Sequence, residues 1–396
     1  MAAAVGIGVP VTLAAGTSAS AGAPTTAAPA VAAPPSAQTS PALVRRVPVV
    51  PERPVANESF VSPLIETFGN VSIGQHSFVA SNTILRADPG GRVCLGNNTN
   101  VQDNVEMLAL RSGARRPGKT FCGALSATAA SRTSIAHQAT IENSAVGDFA
   151  FVGFRSVIRD ATIGSGSFVL HGAVVDGVRV PPNRIVPIGA RINTQEQANA
   201  LATVTAAQNE FKEDVLEVNE EFAESYAELY EESGYDAVTG VSVQPVTSFN
   251  RRPVRPSLAP GTRLSTFTRI VGDVRVGPGS GFGRRTSVRA DEGAPIVFGR
   301  EADVEDRVTF HALKGTSIQI GDRFTAEDNI VIHGPLKVGN DVTVRDDAIV
   351  FRSTVGGGVE VGEGAIVVDV TLRDGAAVPA GAVITTQAQA DALKTR

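Results

Sequence analysis

Five histidines (His76, His137, His171, His311, His333) and two cysteines (Cys94, Cys122) are the side chains of this 396-residue chain best suited to hold a borderline-soft metal. The cysteine spacing matches no zinc-finger or redox motif. The pair therefore reads as either a disulfide or two buried thiols. Three neutral imidazoles around one open coordination position would be a different matter. That is the donor set a catalytic zinc needs, because its fourth ligand is then a water with a pKa near 7. Whether any three of the five histidines converge depends on the elements that carry them.

Those elements are short strands. The composition has 40 Gly and 23 Pro, no Trp and three Tyr, which suits many brief strands joined by tight turns better than a helical bundle. An aliphatic-Gly pair recurs along most of the chain: Ile73-Gly74, Leu95-Gly96, Val146-Gly147, Ile163-Gly164, then Val276-Gly277, Ile320-Gly321, Val338-Gly339 and Val361-Gly362. One such coil cannot bury its own aliphatic side chains, whereas stacked coils can. A longer period lies above this one. LRADPGGRVCLGNNTNVQDNVEMLAL (85–110) aligns without gaps on VRADEGAPIVFGREADVEDRVTFHAL (288–313), 203 residues on. Further along, TSIAHQATIENSAVGD (133–148) matches RFTAEDNIVIHGPLKVGN (323–340) at an offset of 191, so the first copy has about 12 more residues near 111–132, Cys122 among them. The chain is thus a duplication.

The predicted organisation follows. Residues 1–23 are apolar and uncharged and end in small residues, as a signal peptide does, although a positive start is missing. Residues 24–56 are an Ala/Pro/Thr-rich linker without aliphatic periodicity. The first solenoid spans 57–235, 236–256 is a second linker, and the second solenoid spans 257–396. Phe211, Val215, Val218, Phe222 and Tyr226 have helical spacing with acidic residues opposite, so a helix is appended to the first copy. Secretion to an extracytoplasmic compartment is the expectation, with no membrane anchor after processing. A net charge of −5, without basic runs interleaved with aromatics, argues against nucleic acid as a partner.

The RADEG…FG…VEDRVTFHAL segment, followed by IHGP…VG, resembles the γ-class carbonic anhydrases, and the resemblance covers nearly all of 57–235 and 257–396. It implies an all-β fold of two left-handed parallel β-helix (hexapeptide-repeat) domains, the first followed by a C-terminal α-helix. It also implies three metal-binding histidines, two from one side of a subunit interface and one from the other. The HAL histidine is His311, where the first copy has Leu108. The HGP histidine is His333, where the first copy has Glu142. The AHQ histidine is His137, where the second copy has Asp328. Each copy is incomplete, and the losses are complementary. The glutamine of NVQD survives as Gln102 and is Glu305 in the second copy, while the acidic residue of the RSDEG motif survives as Glu292 and is Pro89 in the first.

The resemblance implies zinc, or iron(II) or cobalt(II), at His137, His311 and His333, and hydration of carbon dioxide to bicarbonate with Gln102 and Glu292 beside the reacting water. Asn219 matches a family asparagine near the site. Arg86 with Asp88, and Arg289 with Asp291, match residues that pair across subunits, and Asp103 and Asp306 belong to the same interface or support it from behind. Lys314 follows HAL where many members have an acidic proton-transfer loop. His76 and His171 match no ligand and read as surface or turn residues. A homo-oligomer, or a pseudo-trimer completed by a related subunit, is expected. If rings of like copies stacked instead, Asp328 of a neighbour would join His311 and His333, and His137 would play no part. A non-catalytic scaffold is the competing reading. An acyltransferase on the same solenoid lacks a candidate base.

Overall fold

In the structure, a computed structural model describing residues 58–111 and 120–396, inward-pointing aliphatic residues stack coil upon coil. On one face of the first copy Val79, Val101, Ile135, Val152, Val169 and Val186 lie in register on parallel strands, and all are wholly buried. Each such side chain removed from water contributes about 1.5–3 kcal/mol. Strand residues alternate sides, so every inward valine leaves a neighbour pointing out, where it meets solvent, the appended helix or the other copy.

Each copy is a left-handed parallel β-helix of three sheets. In the first, one face runs from Phe60–Val61 to Ile185–Val186 and is covered by helix. A second runs from Glu66–Phe68 to Arg191–Ile192 and carries Arg86, Leu108 and Glu142 on successive rungs. In the second copy the corresponding face runs from Val241–Ser242 to Val383–Ile384, and the same rungs hold Arg289, His311 and His333.

After the first solenoid come helix α1 (Gln195–Asn199) and helix α2 (Ala206–Ser233). Thr205 caps α2 in a capping box with Gln208, and Gly234, at φ +77°, ends it. Phe222 and Tyr226 of α2 pack on Phe60 and Phe78 of the first two coils. A short helix α3 (Gln387–Asp391) follows the second solenoid in the same way as α1 follows the first. The stretch expected as a linker, 236–256, is partly built into the fold: Val241–Ser242 pairs with Ile270–Val271, so the second β-helix begins before residue 257. Residues 1–23 and all of 24–56 lie outside the described residues. Among those described, no helix is long and apolar enough to cross a membrane.

The two copies pack side by side. Phe151, Phe154 and Phe168 of the helix-bearing face join Val331, Ile349, Phe351, Ile366 and Val368 of the histidine face in one apolar cluster. Gly172 fits here because a Cβ on it would come within 2.3 Å of Ile366 Cδ1. Beside this cluster run corner residues in the left-handed conformation, Asn82, Asn104, Gln138 and Arg155, whose side chains hydrogen-bond carbonyls of the second copy. Ion pairs Arg307–Glu106, Arg285–Glu66 and Arg155–Asp347 flank them.

Candidate metal centre

The centre lies where the helix-bearing face meets the histidine face. Parallel pairing in register places His311 and His333 on adjacent rungs of the same face, both pointing outward from their solenoid. His137 comes from the first copy, in the corner that leads out of Ser134–Ile135, followed by Gln138 at φ +59°. The three imidazoles are buried, with 0%, 2% and 3% exposure for His137, His311 and His333, and each offers a nitrogen within 4.8 Å of the others. His137 Nε2 is 3.1 Å from His311 Nδ1. Ligand nitrogens of tetrahedral zinc stand roughly 3.3 Å apart at the usual bond length.

Each ring turns its remaining nitrogen toward an acceptor on the far side, the arrangement that orients metal-bound imidazoles, and His333 closes a hydrogen bond there. His137 Nδ1 faces Asp103 Oδ2 at 3.4 Å. His333 Nδ1 donates to the Gly334 carbonyl at 3.1 Å. His311 Nε2 faces Glu292 Oε1 at 3.2 Å and Asp291 Oδ1 at 3.3 Å. The donor set and the buried nitrogens fit a divalent transition metal.

Behind the ligands is a charged network that crosses between the copies. Arg289 bridges Asp103 at 2.7 Å and Asp291 at 2.9 Å, Ser287 Oγ donates to Asp103, and Tyr226 Oη donates to Asp291. Burial by itself would raise both carboxyls. Arg289 and the histidines instead hold each well below the usual carboxylate range. Burial, with Asp291 as the next cause, pushes the Tyr226 hydroxyl well above its ordinary value, so it stays a donor.

The imidazoles themselves differ. Burial lowers His137 to about 4 against the pull of Asp103. Burial and the neighbouring histidines lower His333 well below its ordinary value. For His311, burial and Arg289 act downward but are outweighed by Glu292 and Asp291, and the ring is raised to about 9. Without metal the site therefore keeps one proton, on His311 between two carboxylates.

Several expected residues lie elsewhere. Arg86 pairs with Asp88, at 3.1 Å on an open face, where Arg86 is 52% exposed, and Asp88 also accepts from the Arg111 N–H. Asp306 accepts from the Arg284 N–H instead of meeting an arginine across the copies. The reason is geometric: within one chain only one of the two equivalent face pairs is formed, and these three residues belong to the other. Asp328 is not part of the histidine cluster; its carboxylate accepts from the Asp306 N–H, and His137 is the third imidazole. Gln102 is buried one coil from Ala136, beside Asp103. Asn219 is buried, donates to the Val215 carbonyl, and leaves Oδ1 without a partner among the described residues. Lys314 Nζ lies 5.0 Å above the Phe249 ring.

His76 and His171 both lie at turns, as expected, but His171 is not at the surface. His171 is buried, stacked on Phe154 at 4.3 Å, and burial lowers it to about 3. Phe154 in turn stacks on His333 at 4.8 Å and forms an aromatic wall of the centre. His76 is half-buried near Glu58 and Glu224. Cys94 and Cys122 form a disulfide with Cα atoms 6.0 Å apart.

Over 205 residues the chain is 30% identical to the carbonic anhydrase of Methanosarcina thermophila, a match covering 47% of this chain and 81% of that enzyme. The chain belongs to the γ-class carbonic anhydrase family. Another relative is the carboxysome assembly protein CcmM of Nostoc sp., 35% identical over 178 residues, covering 44% of this chain. The chain spans only 31% of that protein's length, and 29% and 23% of two similar carboxysome assembly proteins. Among solved structures, a putative acetyltransferase of Bacillus cereus matches 44% of this chain and 91% of its own at 23% identity and a TM-score of 0.36. No family model matches the chain.

In this γ-class chain the residues behind the ligands are less legible than the ligands. Tyr226 reads from sequence only as part of an apolar helical stripe, and Ser287 and Phe154 carry no motif. The one available signal is Phe154 lying between two aliphatic-Gly coils at an outward position, where a solvent-facing face would favour a polar residue.

Proposed function

We propose that this chain hydrates carbon dioxide reversibly to bicarbonate at a divalent metal held by His137, His311 and His333, one composite site per chain. The observation that carries this reading is the convergence of three buried imidazoles from two copies, neither of which has three. Zinc there, or iron(II) or cobalt(II), which also accept imidazole, supplies the Lewis acidity that makes hydroxide available near neutral pH. Asp103 and the Gly334 carbonyl fix the tautomers of His137 and His333, leaving each Nε2 as the ligand atom. Glu292 and Asp291 face His311 Nε2 on the far side of the ring and would present its Nδ1 to the ion. Gln102 orients the product, as the resemblance implies. Phe154 and Phe351 exclude water behind His333.

Lys314 occupies the place of an acidic proton relay and is a poor acceptor, so buffer carries protons out and turnover depends on its concentration. This same departure, with the kinship to carboxysome assembly proteins, favours a non-catalytic scaffold as the second reading. The open faces bearing Arg86, Asp88 and Asp306 complete the ring with a third β-helix, meeting it as Arg289, Asp291 and Asp103 meet one another. A second copy of this chain would have to abandon its own internal interface to take that place, so the third member is a related single β-helix subunit. The Cys94–Cys122 bond supports an oxidising, extracytoplasmic location.

The test is stopped-flow carbon dioxide hydration by chelated and zinc-reloaded protein at several buffer concentrations. Activity that disappears on chelation, returns with zinc and rises with buffer supports the proposal. A fully zinc-loaded protein that leaves the buffer rate unchanged supports the scaffold.

A further inference from the structure

Helix α2 is tied to the first solenoid along a column of corner residues, each in the left-handed conformation: Glu58, His76, Asn98, Arg132 and Phe149 at φ +50°, +52°, +51°, +56° and +54°. Three of them meet a matched partner on the helix. Asn98 Nδ2 donates to Glu220 Oε1 at 2.9 Å, Arg132 pairs with Glu213, and Lys212 Nζ lies 4.1 Å above the Phe149 ring. The end of the column is different. There Glu58, His76 and Glu224 bring one imidazole and two carboxylates from three separate segments to within 4.8 Å of one another. Burial, then Glu58 and Glu220, raise the Glu224 carboxyl. His76 Nδ1 is shut off from solvent and makes no hydrogen bond of acceptable geometry, although Glu58 Oε2 is 2.9 Å away.

The second copy is the internal comparison. Its residues at the positions of Glu58 and His76 are Gly261 and Gly279, at φ +82° and +81°, and among the described residues α2 has no counterpart over them. Glycine is the unstrained choice at such a corner. The copy that carries the helix has glutamate and histidine in this backbone conformation instead, and both side chains point to the same helical carboxylate.

We propose that Glu58, His76 and Glu224 bind a second divalent transition cation, zinc or a metal of similar preference, that fastens α2 to the first coil. One imidazole and two carboxylates are donors such an ion accepts, and water completes its shell. The positive charge resolves the approach of two carboxylates that the column otherwise leaves unmatched. This site is independent of the histidine triad and of catalysis.

The experiment is zinc titration with stoichiometry by elemental analysis on the full chain, wild type beside His76→Gly and Glu58→Gly. Both variants copy the residues of the second β-helix and relieve the backbone, so they fold. Wild type should bind one zinc per chain more than either variant, and only in wild type should adding the last equivalent slow proteolysis within α2; magnesium should do neither. Equal zinc content in wild type and both variants, or equal protection of α2, overturns the proposal. Because the test reads a difference between proteins that share the triad, it gives the same answer whether or not the triad is loaded.

Discussion

Arg289 is the residue whose removal should most clearly separate the two halves of the centre. Its guanidinium is 4% exposed and lies between two carboxylates with no exposure at all, Asp103 from one copy and Asp291 from the other. Arg289→Met would keep the packing volume but leave both carboxylates buried without their counter-charge. Breaking a buried ionic network by removing one partner costs about 3–5 kcal/mol. At about 2–4 °C per kcal/mol for a large domain, the melting temperature should fall on the order of 10 °C. The duplication supplies the control. Arg86→Met removes the same motif residue from the first copy, where the pair with Asp88 is half-exposed, and should cost less than about 1 kcal/mol. Adding Asp103→Asn to Arg289→Met should recover part of the loss, because it removes one of the stranded charges. The variant's deficit should also shrink on acidification: without arginine, burial raises the folded-state carboxyl pKa values, and protonation then favours the folded form. The assay is differential scanning calorimetry of metal-free protein. Equal destabilisation by Arg86→Met and Arg289→Met would refute the assignment of this network to the interface between the copies.

Further outcomes follow from the same geometry. With His311 raised to about 9 by its carboxylates, metal must displace one proton below that pH, so affinity should rise about tenfold per pH unit between pH 6 and 8, with buffer-dependent calorimetric heats reporting the proton released. Asp103→Asn should weaken zinc binding by about 10- to 100-fold through loss of its support for His137, measured by competition with a chelating dye. Phe154→Ala, which empties the space between His171 and His333, should cost about 3–5 kcal/mol in denaturant unfolding. Native mass spectrometry of the chain purified alone should show a single chain; a closed trimer of chains would contradict the need for a related third subunit.

The parts of this fold that repeat were legible in sequence, because the inward positions of every coil must be aliphatic and the corners small or polar. The alignment of the copies likewise displayed the split of the ligands, since His311 faces Leu108, His333 faces Glu142, and His137 faces Asp328. Less legible was everything set by the second copy packing against the first. His171 is the turn residue it reads as, but Phe154 and Phe351 of the packed copies enclose it. Arg86 and Arg289 share one motif, yet one is half in water and the other buried, because a single chain forms only one of two equivalent interfaces. The Cys94–Cys122 bond spans neighbouring coils whose proximity depends on the fold. Val241–Ser242 is too short to carry a periodicity and becomes a strand only because the sheet edge beside it is open.

The central claim is that the two copies share one metal. Metal content of wild type and His137→Ala, purified in parallel under zinc repletion with both of the surface residues Glu58 and His76 replaced by glycine, tests it most directly. The account predicts one zinc per chain in the parent and none after loss of His137, a residue from the copy that lacks both other ligands. Undiminished zinc in His137→Ala would contradict it and place the ion within the second copy alone.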